Sequence, residues 1–286
     1  MTPRFQYAAF MLLALFVFVL ARRLLPVPSP LAQRPVWQRW GVSVAAFVGG
    51  IFGAKLPFVL GATSAPWTAA AWLADGKTII TGLAGAYLAV ELAKLALGIH
   101  VKTGDSFALP LALAMAVGRW GCFFNGCCYG TPTDLPWGTD FGEGFRRHPT
   151  QIYESVFHLT MAVVLLFFMR RGIWRSHLLQ FYLIAYCGYR VVTELIRPEP
   201  TWWAGMTFYQ LAAISLASAV GLQWLLECRM LAERAINCLQ TSRRPSQSTP
   251  AECAAYRLSK EVNLASDLVD VAQFPNQANA TNNLHN

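Results

Sequence analysis

The residues best suited to chemistry in this chain are a set of arginines and carboxylates at helical spacing. Tyr186, Arg190, Glu194 and Arg197 are separated by four, four and three positions, which places them on one face of a helix. A carboxylate paired with an arginine there can hold a second cation oriented instead of leaving it to neutralise its neighbour. Gln151, Glu154, Ser155 and His158 form a similar stripe, and Lys55 and Arg119 add two more cations in apolar surroundings. Three or four cations around one site suit a phosphate, whose oxygens match the planar fork of arginine two at a time. The plainer alternative is that Arg190 and Glu194 form a buried pair locking two helices.

A second candidate is the run from Gly118 to Gly130, Gly-Arg-Trp-Gly-Cys-Phe-Phe-Asn-Gly-Cys-Cys-Tyr-Gly, in which four glycines surround Arg119. Glycine lets a loop aim backbone N–H groups at an anion. Cys122, Cys127 and Cys128 could ligate a metal, but no second Cys/His cluster lies at zinc-site spacing and His148 is the nearby partner. A Cys122–Cys127 disulfide and simple packing are the other readings, with packing favoured and no metal expected. Gly82 and Gly85, with Ala86 and Ala89, make a small-residue face for close helix approach.

The elements that must position these groups follow from composition. Of 286 residues, 55% are hydrophobic and 13% charged, against about 25% charged in soluble domains, and mean hydropathy is +0.38. This excludes an ordinary soluble globular protein. The net charge of +8 lies largely in loops between apolar runs, so topology explains it better than nucleic-acid binding. Seven scattered cysteines imply no disulfide framework.

A membrane-spanning helix needs about 20 apolar residues. Seven stretches qualify: 5–25, 41–60, 78–97, 107–124, 151–168, 178–197 and 206–226. The expected fold is therefore an all-α bundle of seven transmembrane helices over residues 1–228, followed by a polar, partly disordered tail over 229–286. Arg22, Arg23, Arg34 and Arg39 mark the first loop as cytoplasmic, Arg170, Arg171 and Arg175 the fifth, and Arg229, Arg234, Arg243 and Arg244 the tail. The N-terminus, the 61–77 loop, the 125–150 loop and the 198–205 loop are then outside, and the C-terminus is cytoplasmic. The tail holds a weak amphipathic stretch through Leu258, Val262, Ala265, Val269 and Ala272, then an Asn/Gln-rich end.

This topology brings Lys55, Thr81, Arg119, His148, Gln151, Tyr153, Glu154, Arg190, Glu194, Tyr209 and Gln210 toward one level near the outer leaflet. Ionisable groups in a membrane mark functional sites by default, and the phosphate at that depth would belong to a phospholipid headgroup. Glu91 and Lys94, three apart on the inner half of the third helix, read as a structural pair.

At these residues the chain resembles the bacterial prolipoprotein diacylglyceryl transferases. The resemblance rests on Gly118-Arg119-Trp120-Gly121 with Asn125-Gly126 and Gly130, on Arg147-His148-Pro149-Thr150-Gln151-Ile152-Tyr153-Glu154, and on Arg190, Glu194 and Arg197 ahead of Met206-Thr207-Phe208-Tyr209-Gln210. It covers roughly residues 40–225, and Gly53-Ala54-Lys55 is similar to a glycine-rich stretch that ends in arginine in the family. The resemblance implies seven membrane helices, a cavity open to the outer leaflet of the inner membrane, and transfer of diacylglyceryl from phosphatidylglycerol to the lipobox cysteine in a prolipoprotein signal peptide. It implies glycerol 1-phosphate as product, a thioether and no cofactor; a monomer is expected. It also implies catalytic roles for Arg119 and Arg190, with Glu194 orienting Arg190; Cys127 and His148 are further catalytic candidates read from this chain's own residues. Lys55, Thr81, Gly82, Cys122, Asn125, Gly130, Tyr153, Glu154 and Arg197 would bind substrate.

The chain departs from the family at three places. Ile80-Thr81-Gly82 stands where the family carries a histidine before a glycine pair, Cys122 replaces an asparagine and Cys127 a glutamate. His148, Glu154 and Cys127 are candidate replacement bases. The departures leave open a relative with a different acceptor, or a non-catalytic phospholipid-binding or transport protein, although no internal repeat or midplane charge of the transporter kind is present.

Overall fold

Apolar runs bounded by arginine, proline and glycine become helices. The structure, a computed structural model, describes residues 3–24, 30–60, 68, 72, 76 and 78–242. Its helices are α1 (Pro3–Leu24), α2 (Val36–Leu60), α3 (Ile79–Ala96), α4 (Asp105–Phe124), α5 (Thr150–Arg171), α6 (Leu178–Thr193) and α7 (Phe208–Ser242). Short 3-10 turns cover Pro30–Gln33 and Glu194–Ile196. Two antiparallel hairpins pair β1 (Thr139–Asp140) with β2 (Arg146–Arg147) and β3 (Thr201–Trp203) with β4 (Met206–Thr207). The chain forms two units, Met1–Leu222 and Gln223–Asn286.

The protein is mostly helical, and six of the described helices are long and apolar enough to cross a membrane. The seventh expected span, 178–197, is a 16-residue helix continued by the 3-10 turn. At 1.5 Å per residue α6 reaches about 24 Å, short of the ~30 Å hydrocarbon core. The last helix runs beyond the expected end at Leu226, because neither glycine nor proline interrupts 223–242. The expected amphipathic stretch and Asn/Gln-rich end lie outside the described residues, as does most of the 61–77 loop.

The surface is the reverse of a soluble protein's. Phe47, Ile51 and Phe52 on α2, Leu159, Val163 and Phe167 on α5, and Leu222 on α7 are exposed, whereas Arg119, Gln151, Glu154, His158, Arg190 and Glu194 are buried. Hydrocarbon is the solvent this distribution matches.

Two apolar clusters place the site. Ala108, Leu109 and Ala112 of α4 pack on Met161, Ala162 and Leu165 of α5 and on Leu178 and Tyr182 of α6. Ile80 of α3 joins Leu183, Tyr186 and Cys187 of α6 and Ala213, Leu216 and Val220 of α7. Asp105, at the start of α4, accepts the backbone N–H groups of Ser176 and Leu178 (3.0 Å for Leu178) and so ties the start of α6 to α4.

The small-residue face expected on α3 is a backbone contact with α2. A Cβ on Gly85 would lie 2.9 Å from the Cα of Gly53, and one on Gly49 would lie 2.6 Å from the carbonyl oxygen of Gly85. Gly82 meets Ala54 and Gly50 across the same seam. Gly85→Leu is therefore expected to lower unfolding stability by about 1–3 kcal/mol, whereas Gly188→Ala, where an added Cβ meets nothing within 4 Å, should be neutral. Thermal unfolding of the two variants in detergent checks the contrast.

Candidate active site

The polar stripe of α5 faces α4 and α6 and is sealed from solvent. Gln151 and His158 are 0% exposed and Glu154 is 1%. The Ser155 hydroxyl donates to the carbonyl of Ala116 at 2.8 Å, one turn before Arg119. That bond sets α5 against α4 so that residues 119 and 154 meet.

Glu154 is the hub. Its Oε2 accepts from Arg119 Nη2 and, at 3.4 Å, from Arg190 Nη1, while its Oε1 accepts the Tyr186 hydroxyl at 2.5 Å. Arg190 Nη2 donates to Glu194 Oε2 at 2.8 Å, so the expected pair on α6 forms. His158 lies behind, with Nε2 3.8 Å from Glu154 Oε1 and Nδ1 2.8 Å from the Tyr182 hydroxyl. Arg119, Arg190 and Arg197 against Glu154 and Glu194 leave one positive charge, the complement of a phosphodiester.

Each guanidinium keeps capacity. Buried Nε atoms of Arg119, Arg190 and Arg197 have no partner among the described residues, nor do Glu194 Oε1 and Thr81 Oγ1. Buried polar groups are nearly always satisfied, so three unpaired guanidinium donors around two carboxylates suit an anionic ligand. Lys55 is buried on α2, two residues from the Gly53–Thr81 contact that puts α2 beside Thr81. Tyr186, His158 and Tyr182 complete this network, and of these Tyr182 was not among the residues singled out from sequence. Tyr186 and His158 were visible in the helical stripes, while Tyr182 carried no polar pattern to single it out.

The 125–150 loop is organised next to this core. α4 closes with Gly126 N–H donating to Phe123 O at 3.0 Å and Cys127 N–H to Cys122 O at 3.1 Å. Gly126 holds φ +64, the left-handed end that glycine favours. Gly118 and Gly121, by contrast, pack against α1: a Cβ on Gly121 would sit 3.0 Å from Phe10 Cβ. Gly130 donates its N–H to His148 O at 2.8 Å and abuts the Ile196 carbonyl, drawing the loop to the end of α6. The loop glycines thus serve turns and close packing.

His148 stands apart from the carboxylate hub. Its Nδ1 is 3.3 Å from the Tyr153 hydroxyl, which accepts from Trp137 Nε1 at 2.8 Å. Asn125 ends α4. Arg147 is held by Glu143 at 2.7 Å and stacks over Tyr129. Arg147 and then Tyr129 keep the Glu143 carboxyl below its ordinary range, and that same bond raises the Tyr129 hydroxyl. Three backbone N–H donors, Gly142 foremost, lower Asp140.

Cys122, Cys127 and Cys128 are free thiols, with Sγ atoms all within 4.8 Å of one another. Arg119 Nη1 reaches Cys122 Sγ at 3.8 Å. Hydrogen bonds from Cys122 and then Cys127 favour the thiolate at Cys128, and thiol contacts with Cys122 and Cys128 disfavour it at Cys127.

The fold and site define a helical membrane protein with a buried arginine–carboxylate centre beneath a cysteine-bearing loop. Residues 4–226 match the prolipoprotein diacylglyceryl transferase family, and the chain belongs to that family. It is 32% identical over 171 residues to the phosphatidylglycerol–prolipoprotein diacylglyceryl transferase of Clostridium tetani (strain Massachusetts / E88), covering 56% of this chain and 69% of that protein. The Clostridioides difficile (strain 630) protein of the same description is 33% identical over 147 residues, covering 51% of this chain and 58% of its own length. That of Gloeobacter violaceus (strain ATCC 29082 / PCC 7421) is 31% identical over 230 residues, covering 72% and 82%.

Loss of the Tyr186 hydroxyl leaves Glu154 short of one charge-assisted hydrogen bond. Tyr186→Phe is expected to reduce stability by about 1.5–3 kcal/mol and Ser155→Ala by about 1 kcal/mol. Denaturant unfolding in detergent gives both values.

Proposed function

We propose that this protein transfers the diacylglyceryl group of phosphatidylglycerol to the lipobox cysteine thiol of a prolipoprotein. The observation that carries the reading is the meeting of Arg119 and Arg190 on buried Glu154 with both Nε donors unpaired, inside the segment that matches the family. In this reaction the thiolate forms a bond to the glyceryl carbon as the carbon–oxygen bond to phosphate breaks. The leaving group, glycerol 1-phosphate, gains negative charge that preorganised guanidinium donors stabilise in a low-dielectric site.

Arg119 and Arg190 would hold the phosphate through the N–H groups not spent on carboxylates. Glu154 fixes the two guanidinium planes, Glu194 fixes the second edge of Arg190, and Arg197 supplies the charge that the two carboxylates leave uncompensated. Thr81 and Lys55 would line the side toward α2 and α3, and the loop from Asn125 to Gly130 would cover the site. Tyr153 and His148 would shape its rim, where the signal peptide enters.

The same reading supplies the topology. Six long apolar helices, together with α6 lengthened by the Glu194–Ile196 turn, would make seven spans, with the N-terminus and the cysteine-bearing loop outside and the C-terminus cytoplasmic, in a bacterial inner membrane. The arginine bias of the first and fifth loops supports this orientation. The protein would act as a monomer on phosphatidylglycerol and prolipoprotein signal peptides.

Purified protein incubated with phosphatidylglycerol and a lipobox peptide is expected to yield a peptide heavier by one diacylglyceryl group, read by mass spectrometry. Arg119→Ala and Arg190→Ala should each lower the rate by about 100-fold or more, the scale of a lost transition-state donor, while remaining folded in the membrane fraction. Full activity in both variants would remove the phosphate-binding assignment.

A further inference from the structure

Among the described residues, the one group of three metal-ligating side chains is Cys122, Cys127 and Cys128, with Sγ atoms within 4.8 Å of one another. Several features build this convergence. The paired backbone bonds that end α4 fold Cys127 back over Cys122. Cys128 then takes φ +64, a conformation that residues with a Cβ rarely adopt. Buried side chains of α5 lock the loop in that shape: Gln151 Nε2 donates to the Cys127 carbonyl and Thr150 Oγ1 to the Cys128 carbonyl, each at 2.6 Å. Cys122 and Cys127 are half-buried and Cys128 is exposed, so the cluster is rigid behind and open in front.

Zinc–sulfur bonds of about 2.3 Å in tetrahedral geometry put sulfurs about 3.8 Å apart, which small side-chain rotations reach from the observed spacing. Three protein ligands with a fourth position open to substrate is the arrangement of a catalytic zinc, whereas structural zinc sites are closed by four.

The transfer reaction needs something to take the acceptor thiol's proton, and the nearby bases are engaged. Glu154 is held by Arg119, Arg190 and Tyr186, His158 is fully buried behind it, and His148 is turned to Tyr153. Arg119, which bridges toward Cys122 Sγ at 3.8 Å, puts the thiol cluster next to the proposed phosphate position.

We propose that Cys122, Cys127 and Cys128 bind one zinc ion whose fourth position takes the acceptor thiol, an assignment that rests on the diacylglyceryl transfer proposed above. On binding zinc the thiol gives its proton to water. The zinc-bound sulfur forms the S–C bond to the glyceryl carbon, and the C–O electron pair leaves with the phosphate oxygen held by the arginines. Zinc changes no oxidation state. Motif spacing alone gave no reason to expect a metal; the proposed site rests on the three-dimensional convergence of the thiols.

The full-length chain purified in detergent should contain one zinc per molecule by elemental analysis, and metal-free protein titrated with cadmium alone should develop cadmium–thiolate absorption at one equivalent. Cys127→Ser and Cys128→Ser should each weaken cadmium binding at least tenfold. Wild-type protein that contains no zinc and gives no cadmium–thiolate absorption overturns the site. Chelation should slow transfer by about 100-fold, within the range of a lost proton acceptor, and added zinc should restore it. Equal rates from metal-free and zinc-loaded protein overturn zinc's role as thiol activator. No transfer from zinc-loaded protein, with the Gloeobacter violaceus relative active alongside, contradicts the transferase reading, and the metal titration still decides the binding site.

Discussion

Burying a carboxylate among apolar helices is unfavourable unless cations and donors surround it, and Glu154 meets that demand with Arg119, Arg190 and Tyr186. The partners come from two other helices: Arg119 from the end of α4, and Arg190 and Tyr186 from α6. The packing of those helices on α5 is thus bound to one electrostatic centre. A buried ion pair is weak evidence for stability in its own right, since desolvation offsets most of the attraction. Its retention here fits the use of fixed charge to receive charge. The unspent Nε donors of both arginines are aimed by bonds that the carboxylates have already made.

The supporting structure keeps that centre at one depth. Asp105 anchors α6 to the start of α4, Ser155 fixes α5 near the end of α4, and glycine contacts let the backbones of α2 and α3 touch. Gly130, by bonding to the carbonyl of His148 and pressing on that of Ile196, gathers the 125–150 loop, the start of α5 and the end of α6. Thiols and guanidinium groups end up as neighbours through these backbone contacts.

Much of this was legible in sequence because lipid imposes simple rules. Long apolar runs predict helices, and spacing by four predicts the Arg190–Glu194 pair and the buried stripe of α5. What spacing could not reveal was pairing between helices. Nothing local to Arg119 says that its partner is Glu154, 35 positions later, so the hub appeared in sequence only as one of several polar groups. His148, adjacent to the same motif, was equally eligible, yet the loop turns it toward Tyr153. The glycines around Arg119 divided in the same way, with Gly118 and Gly121 packing on α1 and Gly126 forming a turn. Cys128 stood in the sequence beside Cys122 and Cys127 as a possible metal ligand, but spacing could not show their approach, which depends on a left-handed backbone at a non-glycine residue. The extension of α7 beyond Leu226 shows the opposite case, where polar composition suggested an ending that helix-forming residues did not require.

If Glu154 serves to hold Arg119 and Arg190 in a phosphate-receiving geometry, removing its charge should harm anion binding even though the site becomes more positive. The direct measurement is the affinity of folded Glu154→Gln and wild-type protein for phosphatidylglycerol at one ionic strength. Preorganisation by Glu154 requires the variant to bind at least about tenfold more weakly, a difference of ~1.4 kcal/mol. Equal or tighter binding by Glu154→Gln, as simple Coulomb attraction to a more positive site would give, would contradict the carboxylate-centred description of this protein.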